Sequence, residues 1–284
     1  MRLFTLFTLI SALSSQAAFG WGFVGHRAVG EIAQRHLTPK AKQAVLRILD
    51  GESLAHASTW ADEVRSDAAY KHQDTWHYVD YPLGATYDPA KASPKGDVIA
   101  SLIRIRLELL DPGTSRPTKA TNIRLMTHFI GDMHQPLHVG NGSDQGGNLC
   151  SVTYMDELTN LHSLWDDKII DSMRLSYTEL VNFIDTATKA EFTAATAGNF
   201  DEWAAESASV REGIYPISVG NTAKMELPTE RTYCRKNTKD PLPDSKIIPK
   251  LSYAYRYENW PLIEKRIRLA GYRLAGQLNE IFAK

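Results

Sequence analysis

The amino-acid sequence predicts an all-α protein. Apolar residues recur at helical spacing through most of the chain, whereas the alternation of apolar and polar residues that marks β-strands is scarce. Hydrophobic residues make up 43% of the 284 residues, which is enough to build a large core. The length suits one large domain or two small ones, and no internal repeat, low-complexity tract or interdomain linker divides the sequence.

The chain begins with a segment typical of a secretory signal peptide. Arg2 supplies a positive charge, the apolar run that follows is too short to span a bilayer, and residues 18–20 (AFG) form a small-x-small cleavage site. We therefore expect residues 1–20 to be removed, and residues 21–284 to form a secreted or periplasmic domain. No second apolar segment reaches membrane-spanning length, so we expect no association with a membrane.

Six segments carry the helical pattern most clearly. Residues 37–51 have Thr38 as N-cap, Pro39 at the first helical position and Gly51 as a stop signal. Similar apolar spacing predicts helices in five further segments: 97–111, 122–134, 161–173, 178–188 and 259–283. Two segments instead have the composition of loops: 140–148 and 236–250.

The charge and the cysteine count limit the classes of function. A formal net charge of −1 argues against a protein that binds nucleic acid through a broad basic surface, because such proteins neutralise many phosphates. Any anionic substrate must therefore be bound locally. We expect the only two cysteines, Cys150 and Cys234, to form a disulfide in an oxidising compartment, although the sequence does not show that they meet.

Two pairs of histidine and aspartate stand four residues apart in predicted helices. His128 and Asp132 form one pair, and His162 and Asp166 form the other. Residues four apart are separated by about 40° around a helix, so each pair can reach one ion. His138 follows a proline that lets the chain turn. A single pair of this kind is more often a surface pair or a core hydrogen bond than a metal site.

Metal binding becomes the better interpretation when these residues are taken together. Imidazole nitrogen and carboxylate oxygen are what zinc accepts when thiolates are absent, and the chain has no cysteine cluster. Two more candidates lie nearer the N-terminus: Asp62 in "WADE" and His77 in "DTWHYVDY". Either of them alone would be interpreted as a surface charge or as a histidine in an aromatic cluster.

Seven short motifs together resemble the S1/P1 nuclease family of trizinc phosphodiesterases. They are "WGFVGH", "WAD", "WHYVD", "HFIGDMHQPLH", "GGN", "NLHSLWD" and "AGYRLAGQLN", and they extend through most of residues 21–284. The resemblance implies a single all-helical domain, of a type related to zinc-dependent phospholipase C, with three zinc ions at the bottom of a cleft. It also implies hydrolysis of single-stranded DNA and RNA to 5′-nucleotides, together with 3′-nucleotidase activity.

The resemblance assigns nine metal ligands. Trp21, through its α-amine and carbonyl oxygen, and His26 would bind one zinc ion. Four side chains resemble the ligands of a second ion: Asp62, His77, His128 and Asp132. Three resemble the ligands of the third ion: His138, His162 and Asp166. Asp132 would also bridge the first two ions.

Three zinc ions would supply the chemistry that phosphodiester hydrolysis needs. Two ions roughly 3.5 to 4 Å apart lower the pKa of a bridging water and hold the resulting hydroxide in line with the phosphorus atom. The third ion stabilises the departing alkoxide, so no basic residue is needed for that charge. Asp62 is the candidate catalytic residue that orients this water or accepts its proton.

Three further residues resemble the substrate-binding positions of the family. Tyr78 would stack on the base at the scissile position, which favours single strands because a paired base hides its face. Asp80 would form hydrogen bonds with the base edge, and Asn148 would lie near the base and the phosphate. Core packing is the alternative interpretation of Tyr78.

Two other functions stay open. A zinc-dependent phospholipase C would use a related set of ligands on phosphocholine lipids, although the "HYVD" and "GGN" elements favour nucleotides. A non-catalytic zinc-binding protein would have closed four-residue sites and no substrate cleft. We expect a monomer, because nothing outside the presumed cleft has the composition of an apolar interface.

Overall fold

The computed structural model describes residues 20–82, 84–216 and 231–283, and it is mostly helical, as predicted. The helices are α1 Phe23–Arg35, α2 Pro39–Ile48, α3 Leu54–Ala57, α4 Trp60–Glu63, α5 Val98–Leu110, α6 Arg116–His134, α7 Leu161–Ser163, α8 Ile169–Ser172, α9 Tyr177–Ile184, α10 Lys189–Ala195, α11 Phe200–Arg211 and α12 Tyr253–Ile281. Most of the predicted signal segment, residues 1–19, lies outside the described residues.

The six predicted helices are present, and caps explain where several of them begin and end. The hydroxyl of Thr38 accepts a hydrogen bond from the N–H of Ala41 at the start of α2, and Gly51 after that helix has a φ of +86°. Helix α6 begins at Arg116, earlier than predicted, because Ser115 caps it. The predicted helix at 161–173 contains a π-helical turn, Leu164–Lys168, between α7 and α8.

Helices α1, α10 and α11 were not predicted. Helix α11 buries the polar residues Ser207 and Arg211, so its apolar periodicity is weak. Helix α1 contains Gly30, where a Cβ atom would overlap the backbone of Leu54. This close approach lets α1 pack against α3, but a small residue contributes little to a hydrophobic pattern.

Short β-strands form two small sheets. Their bounds are β1 Val79–Asp80, β2 Val139–Gly140, β3 Ser151–Tyr154, β4 Glu157–Asn160 and β5 Lys250–Leu251. Strand β1 pairs in parallel with β2, and β3 pairs with both β4 and β5. The expected disulfide joins Cys150, directly before β3, to Cys234. Strands of two to four residues are too short for alternation to reveal them.

Helix α6 lies at the centre of the domain. It contacts α1, α2, α3, α4, α5, α11 and α12, and its C-terminal half is buried. Polar side chains on this half, including His128 and Asp132, are therefore removed from water. Within the part of the chain that the structure describes, no helix combines the length and apolarity that a membrane crossing requires.

Candidate metal centre

Eight of the predicted ligand side chains lie in two buried clusters. The first cluster consists of His26, Asp62, His77, His128 and Asp132. The second cluster consists of His138, His162 and Asp166. Within each group of three that could hold an ion, the potential ligand atoms lie within 4.8 Å of one another. Residues 106 positions apart are thereby brought close enough for shared coordination, since His26 and Asp132 of the first cluster differ by that number.

The carboxylate of Asp132 faces two sets of histidines. Its Oδ1 atom lies 3.2 Å from His26 Nε2, whereas its Oδ2 atom lies 3.0 Å from His77 Nδ1 and 3.2 Å from His128 Nε2. Asp62 Oδ1 is 3.7 Å from His128 Nε2 and 3.8 Å from His77 Nδ1. This is the arrangement that a carboxylate bridging two ions requires.

Packing between α1 and α6 brings His26 into the first cluster. Its ring stacks on the ring of His128, with centroids 3.9 Å apart. A Cβ atom on Gly131 would lie 2.9 Å from His26 Nδ1, so the absence of a side chain at residue 131 leaves room for the imidazole. The sequence analysis missed Gly131, because its contribution is visible only when the two helices are packed.

Backbone carbonyl groups orient three of the histidines. The Nδ1–H group of His128 donates to the carbonyl of Ser58, that of His138 donates to His77, and that of His162 donates to Gly146, each over 2.7 Å. A carbonyl only accepts, so Nδ1 carries the proton in each ring. The Nε2 atom, which faces the carboxylates, is therefore the ring nitrogen that could ligate a metal, as is usual for histidines oriented through Nδ1.

Gln135 positions the carboxylate of the second cluster. Its amide group donates to Asp166 Oδ1 over 2.6 Å, and its carbonyl accepts from the N–H of Leu137 over 2.6 Å. Asp166 Oδ2 lies 3.2 Å from His162 Nε2, and Oδ1 lies 3.7 Å from His138 Nε2. The sequence analysis did not identify Gln135, although it lies between the two predicted ligands Asp132 and His138.

The donor set fits zinc. His26 is buried, and neither of its ring nitrogens has a hydrogen-bond partner among the described residues. Burial lowers the pKa of His26 to about 4, so its ring is neutral and can act as a ligand. Burial raises the pKa of Asp166 to about 8, and a cation in the second cluster would reverse that effect. Imidazole and carboxylate ligands of this kind are typical of zinc sites without thiolates.

A third group of potential ligands does not fit a metal. Asp144 lies close to Cys150 and Cys234, but these sulfur atoms are joined in the disulfide and cannot become thiolates. Asp144 instead accepts hydrogen bonds from the N–H of Gly147 and from the hydroxyl of Tyr215. It therefore stabilises the 140–148 loop.

The start of the described chain lies directly against the first cluster. A Cβ atom on Gly20 would overlap Asp132 Oδ1 and would lie 2.9 Å from His26 Nε2, so Gly20 lies against both of these side chains. Trp21 is fully buried, and the N–H of Gly22 donates to the carbonyl of Asp166 over 2.8 Å. These contacts hold the backbone of Trp21 close to both clusters.

Comparison with known proteins identifies the family. The family model described as S1/P1 Nuclease matches residues 21–283. The chain belongs to the S1/P1 nuclease family. Nuclease S1 of Aspergillus oryzae is 29% identical, over 94% of this chain and 93% of its own length. Endonuclease 4 of Arabidopsis thaliana is 28% identical, over 94% of this chain and 90% of its own length. Nuclease P1 of Penicillium citrinum is 33% identical, over 56% of this chain and 63% of its own length.

Tyr78 and Asp80 follow the ligand candidate His77 in the chain. Tyr78 directly follows His77 and is 45% exposed, so it is not a core residue. Asp80 lies opposite Gly140 in the β1–β2 pair, and burial together with the charge of Asp144 raises its pKa. Both side chains line a cavity of about 480 Å³. A half-exposed ring beside a cavity has the accessibility that base stacking requires.

Asn148 has a structural contact within its own loop. Its side-chain amide donates to the carbonyl of Gln145 over 2.9 Å. Gly146 has a φ of +59°, and a Cβ atom there would overlap the carbonyl of Leu137. The Gly146 carbonyl in turn accepts from His162. The "GGN" motif therefore supports the second cluster through its backbone.

Arg65 is a cationic residue of the site that the sequence analysis missed. Its Nη1 atom lies 3.4 Å from Asp62 Oδ1, and its Nε atom lies 3.7 Å from Asp74 Oδ1. The side chain is 17% exposed, and its charge also acts on Tyr78. The signal in the sequence was its spacing, three residues after Asp62 at the end of a short helix.

Proposed function

We propose that the protein is an exported zinc-dependent endonuclease that hydrolyses single-stranded DNA and RNA to 5′-nucleotides and also removes the phosphate from 3′-nucleotides. Membership of the S1/P1 nuclease family makes it a nuclease and a phosphodiesterase. The observation that carries the proposal is the position of the half-exposed Tyr78, one residue after the buried ligand candidate His77. This position supports a role for Tyr78 as a stacking surface for the base at the scissile bond.

We assign three zinc ions to the two clusters. Trp21 and His26 would hold the first ion. Four residues would hold the second: Asp62, His77, His128 and Asp132. Three would hold the third: His138, His162 and Asp166. The two carboxylate oxygens of Asp132, which face different histidines, support a bridge between the first two ions. Zinc bound there would polarise the phosphate and lower the pKa of a bound water toward neutrality.

The side chains around the ions would activate the water, bind the phosphate and bind the base. Asp62 lies at the border of the first cluster and would orient the attacking water and accept its proton. Arg65, which contacts Asp62, would donate hydrogen bonds to a non-bridging phosphate oxygen. Tyr78 would stack on the base, Asp80 would bind the base edge, and Asn148 would contact the nucleotide through its carbonyl oxygen.

Removal of residues 1–20 would complete the first zinc site. Gly20 lies against His26 and Asp132, so its removal would clear the space beside these two side chains. Cleavage would leave Trp21 with a free α-amine, whose pKa of about 7.7 to 8 lets zinc displace its proton near neutral pH. An amide nitrogen cannot replace it, because its lone pair is delocalised into the peptide bond. We also propose that the mature protein, residues 21–284, is a monomer and that it acts in the periplasm or outside the cell.

A substrate panel tests this proposal. Zinc-loaded residues 21–284 are assayed with single-stranded DNA, RNA, duplex DNA, a 3′-nucleotide and phosphatidylcholine, each with and without chelator. We expect hydrolysis of the single strands and of the 3′-nucleotide, slow hydrolysis of the duplex, and loss of all activity in chelator. Hydrolysis of phosphatidylcholine alone would indicate a phospholipase C. Zinc binding with no hydrolysis of any substrate would indicate a non-catalytic zinc-binding protein.

A further inference from the structure

Two tyrosines at the start of α12 are exposed on the same side of the helix. Tyr253 is 67% exposed and Tyr257 is 83% exposed, and residues four apart are neighbours on a helix surface. The guanidinium of Arg256 lies 4.9 Å from the centroid of the Tyr253 ring. Two aromatic rings beside a cation present π-faces to solvent, and their burial would be favourable. The assignments made for the active site leave these three residues without a role.

This end of α12 is attached to the helical segment that carries Asp166. Nη1 of Arg256 donates to the carbonyl and the hydroxyl of Ser172, the last residue of α8, over 3.2 Å in each case. The indole N–H of the buried Trp165 donates to the Tyr255 hydroxyl over 2.8 Å. Asp166 and Ser172 are separated by about 9 Å at the usual helical rise. The start of α12, which carries the exposed tyrosines, is therefore anchored to the helical segment that carries Asp166.

We propose that Tyr253, Arg256 and Tyr257 form a second stacking platform for single-stranded nucleic acid. This α12 platform would bind bases outside the scissile position, and the inference rests on the proposed nuclease function. Stacking on an aromatic ring contributes about 1 to 3 kcal/mol per base and tolerates any sequence, because every base has a π-face. An exposed pair of rings suits a flexible strand, whose bases can turn toward them.

Charge supports a nucleic-acid strand as the occupant. Arg256 uses Nη1 for Ser172, and the guanidinium also has N–H groups on Nε and Nη2 that can donate to a phosphate. Lys250, exposed at β5, adds a second positive charge, which the exposed Glu258 partly offsets. With a formal net charge of −1, the protein has no general excess of cations to retain a long substrate. Local platforms that combine stacking with one or two cations would supply that retention.

Substrate length separates the α12 platform from the hydrolytic site. The double variant Tyr253→Ala/Tyr257→Ala is compared with the wild type on a dinucleotide and on an oligothymidylate of about 16 nucleotides, within the usual site size of single-strand binders. We expect KM for the long substrate to rise about tenfold, which corresponds to about 1.4 kcal/mol. We expect kcat, zinc content and hydrolysis of the dinucleotide to be unchanged.

Three controls make the result specific. Tyr253→Phe/Tyr257→Phe keeps both rings and should retain the wild-type KM. Phe183→Ala removes a ring that is 64% exposed on α9, and it should also leave KM unchanged. Anisotropy with a labelled phosphorothioate oligothymidylate measures binding without hydrolysis, so the platform is tested even if the proposed nuclease activity fails.

Two outcomes would overturn the inference. The first is equal KM and equal binding of the long substrate in the wild type and the alanine double variant, while the dinucleotide is still hydrolysed. The second is a wild-type dimer in sedimentation that the double variant abolishes, since the tyrosines would then be an interface between copies of the chain. Failure of the wild type to hydrolyse either substrate would instead contradict the proposed function.

Discussion

The first cluster is assembled from distant parts of the chain, whereas the second comes from one short region. The ligands of the first cluster lie on α1, on α4, at the end of the 3-10 helix Ala68–His77 and on α6. The second cluster and its hydrogen-bond partner Gln135 lie within residues 135–166. The first cluster therefore depends on helix packing and on the start of the chain. The second depends mainly on hydrogen bonds within residues 135–166, to which the His77 carbonyl and the Gly22 N–H add contacts with His138 and Asp166.

This difference predicts that the two clusters can be disrupted separately. Asp132 is the side chain that the two parts of the first cluster share, and Asp166 belongs to the second cluster alone. The N-terminal segment contacts the first cluster through Gly20. Gln135 contacts Asp166 directly. Substitutions that contact the first cluster should therefore remove different zinc ions from substitutions that contact the second cluster.

The largest effect is expected for Asp132→Asn. The neutral amide keeps the shape of the side chain but removes the charge that faces His26 on one side and His77 and His128 on the other. Metal ions stabilise charge in the transition state by several kcal/mol, so hydrolysis should fall by roughly 10³-fold or more. Zinc content, measured by atomic absorption, should fall by two ions per chain. With Asp166→Asn as the comparison, it should fall by one, and equal losses would contradict the proposed bridge.

The second prediction concerns a single additional residue at the N-terminus. A protein that begins at Gly20 should lose the ion assigned to Trp21 and His26, because the extra residue converts the α-amine of Trp21 into an amide and lies against His26 and Asp132. Activity should fall on the order of 10²-fold, the usual effect of removing one electrostatic stabiliser. The protein that begins at Trp21 is the control. Equal zinc content and equal rate in the two proteins would show that the free amine is not a ligand.

The third prediction addresses the second cluster through Gln135→Glu. The substitution replaces the N–H group that donates to Asp166 with a carboxylate oxygen, so two like charges meet in a buried site. Loss of such a hydrogen bond typically lowers metal affinity about 10- to 100-fold. Titration with a competing chelator should show one weakened ion and two unaffected ones. Gln43→Glu, at an exposed position on α2, is the matched control, and a weakened ion in that variant too would point to a general charge effect.

The smallest effect is expected for Tyr78→Ala. Tyr78 follows His77 but has no position among the ligands, so the variant should retain all of its zinc. Removal of one stacking surface should weaken turnover of single strands by about 1 to 3 kcal/mol, or roughly 5- to 150-fold. Tyr78→Phe should keep most of the activity. Wild-type kinetics in a zinc-replete alanine variant would show that Tyr78 contributes only to packing.

The sequence predicts much of the fold because helical periodicity and caps are local signals. Thr38 and Gly51 mark the ends of α2, and apolar spacing marks α5, α6 and α12. It does not reveal α11, because Ser207 and Arg211 are buried there and interrupt the apolar pattern. The short strands are also missed, because they contain too few residues to show a period.

The sequence by itself determined which residues can ligate metal, because the histidines and aspartates occur in motifs with recognisable composition and spacing. It also determined that both cysteines were available to pair. Whether the assigned residues bind zinc stays a prediction. Their spatial grouping into two clusters is a property of the folded chain.

Only the tertiary structure decided how those residues meet and what supports them. Three contacts connect residues of different elements or turns. Gly131 leaves room for the ring of His26, Gln135 donates a hydrogen bond to Asp166, and Arg65 lies close to Asp62. The space that Gly20 occupies beside Asp132 is another contact of this kind. A periodic pattern reports which side of an element is buried, but it does not report which atoms of another element lie opposite. Those distances are set by the packing of α1, α6 and the segments around them.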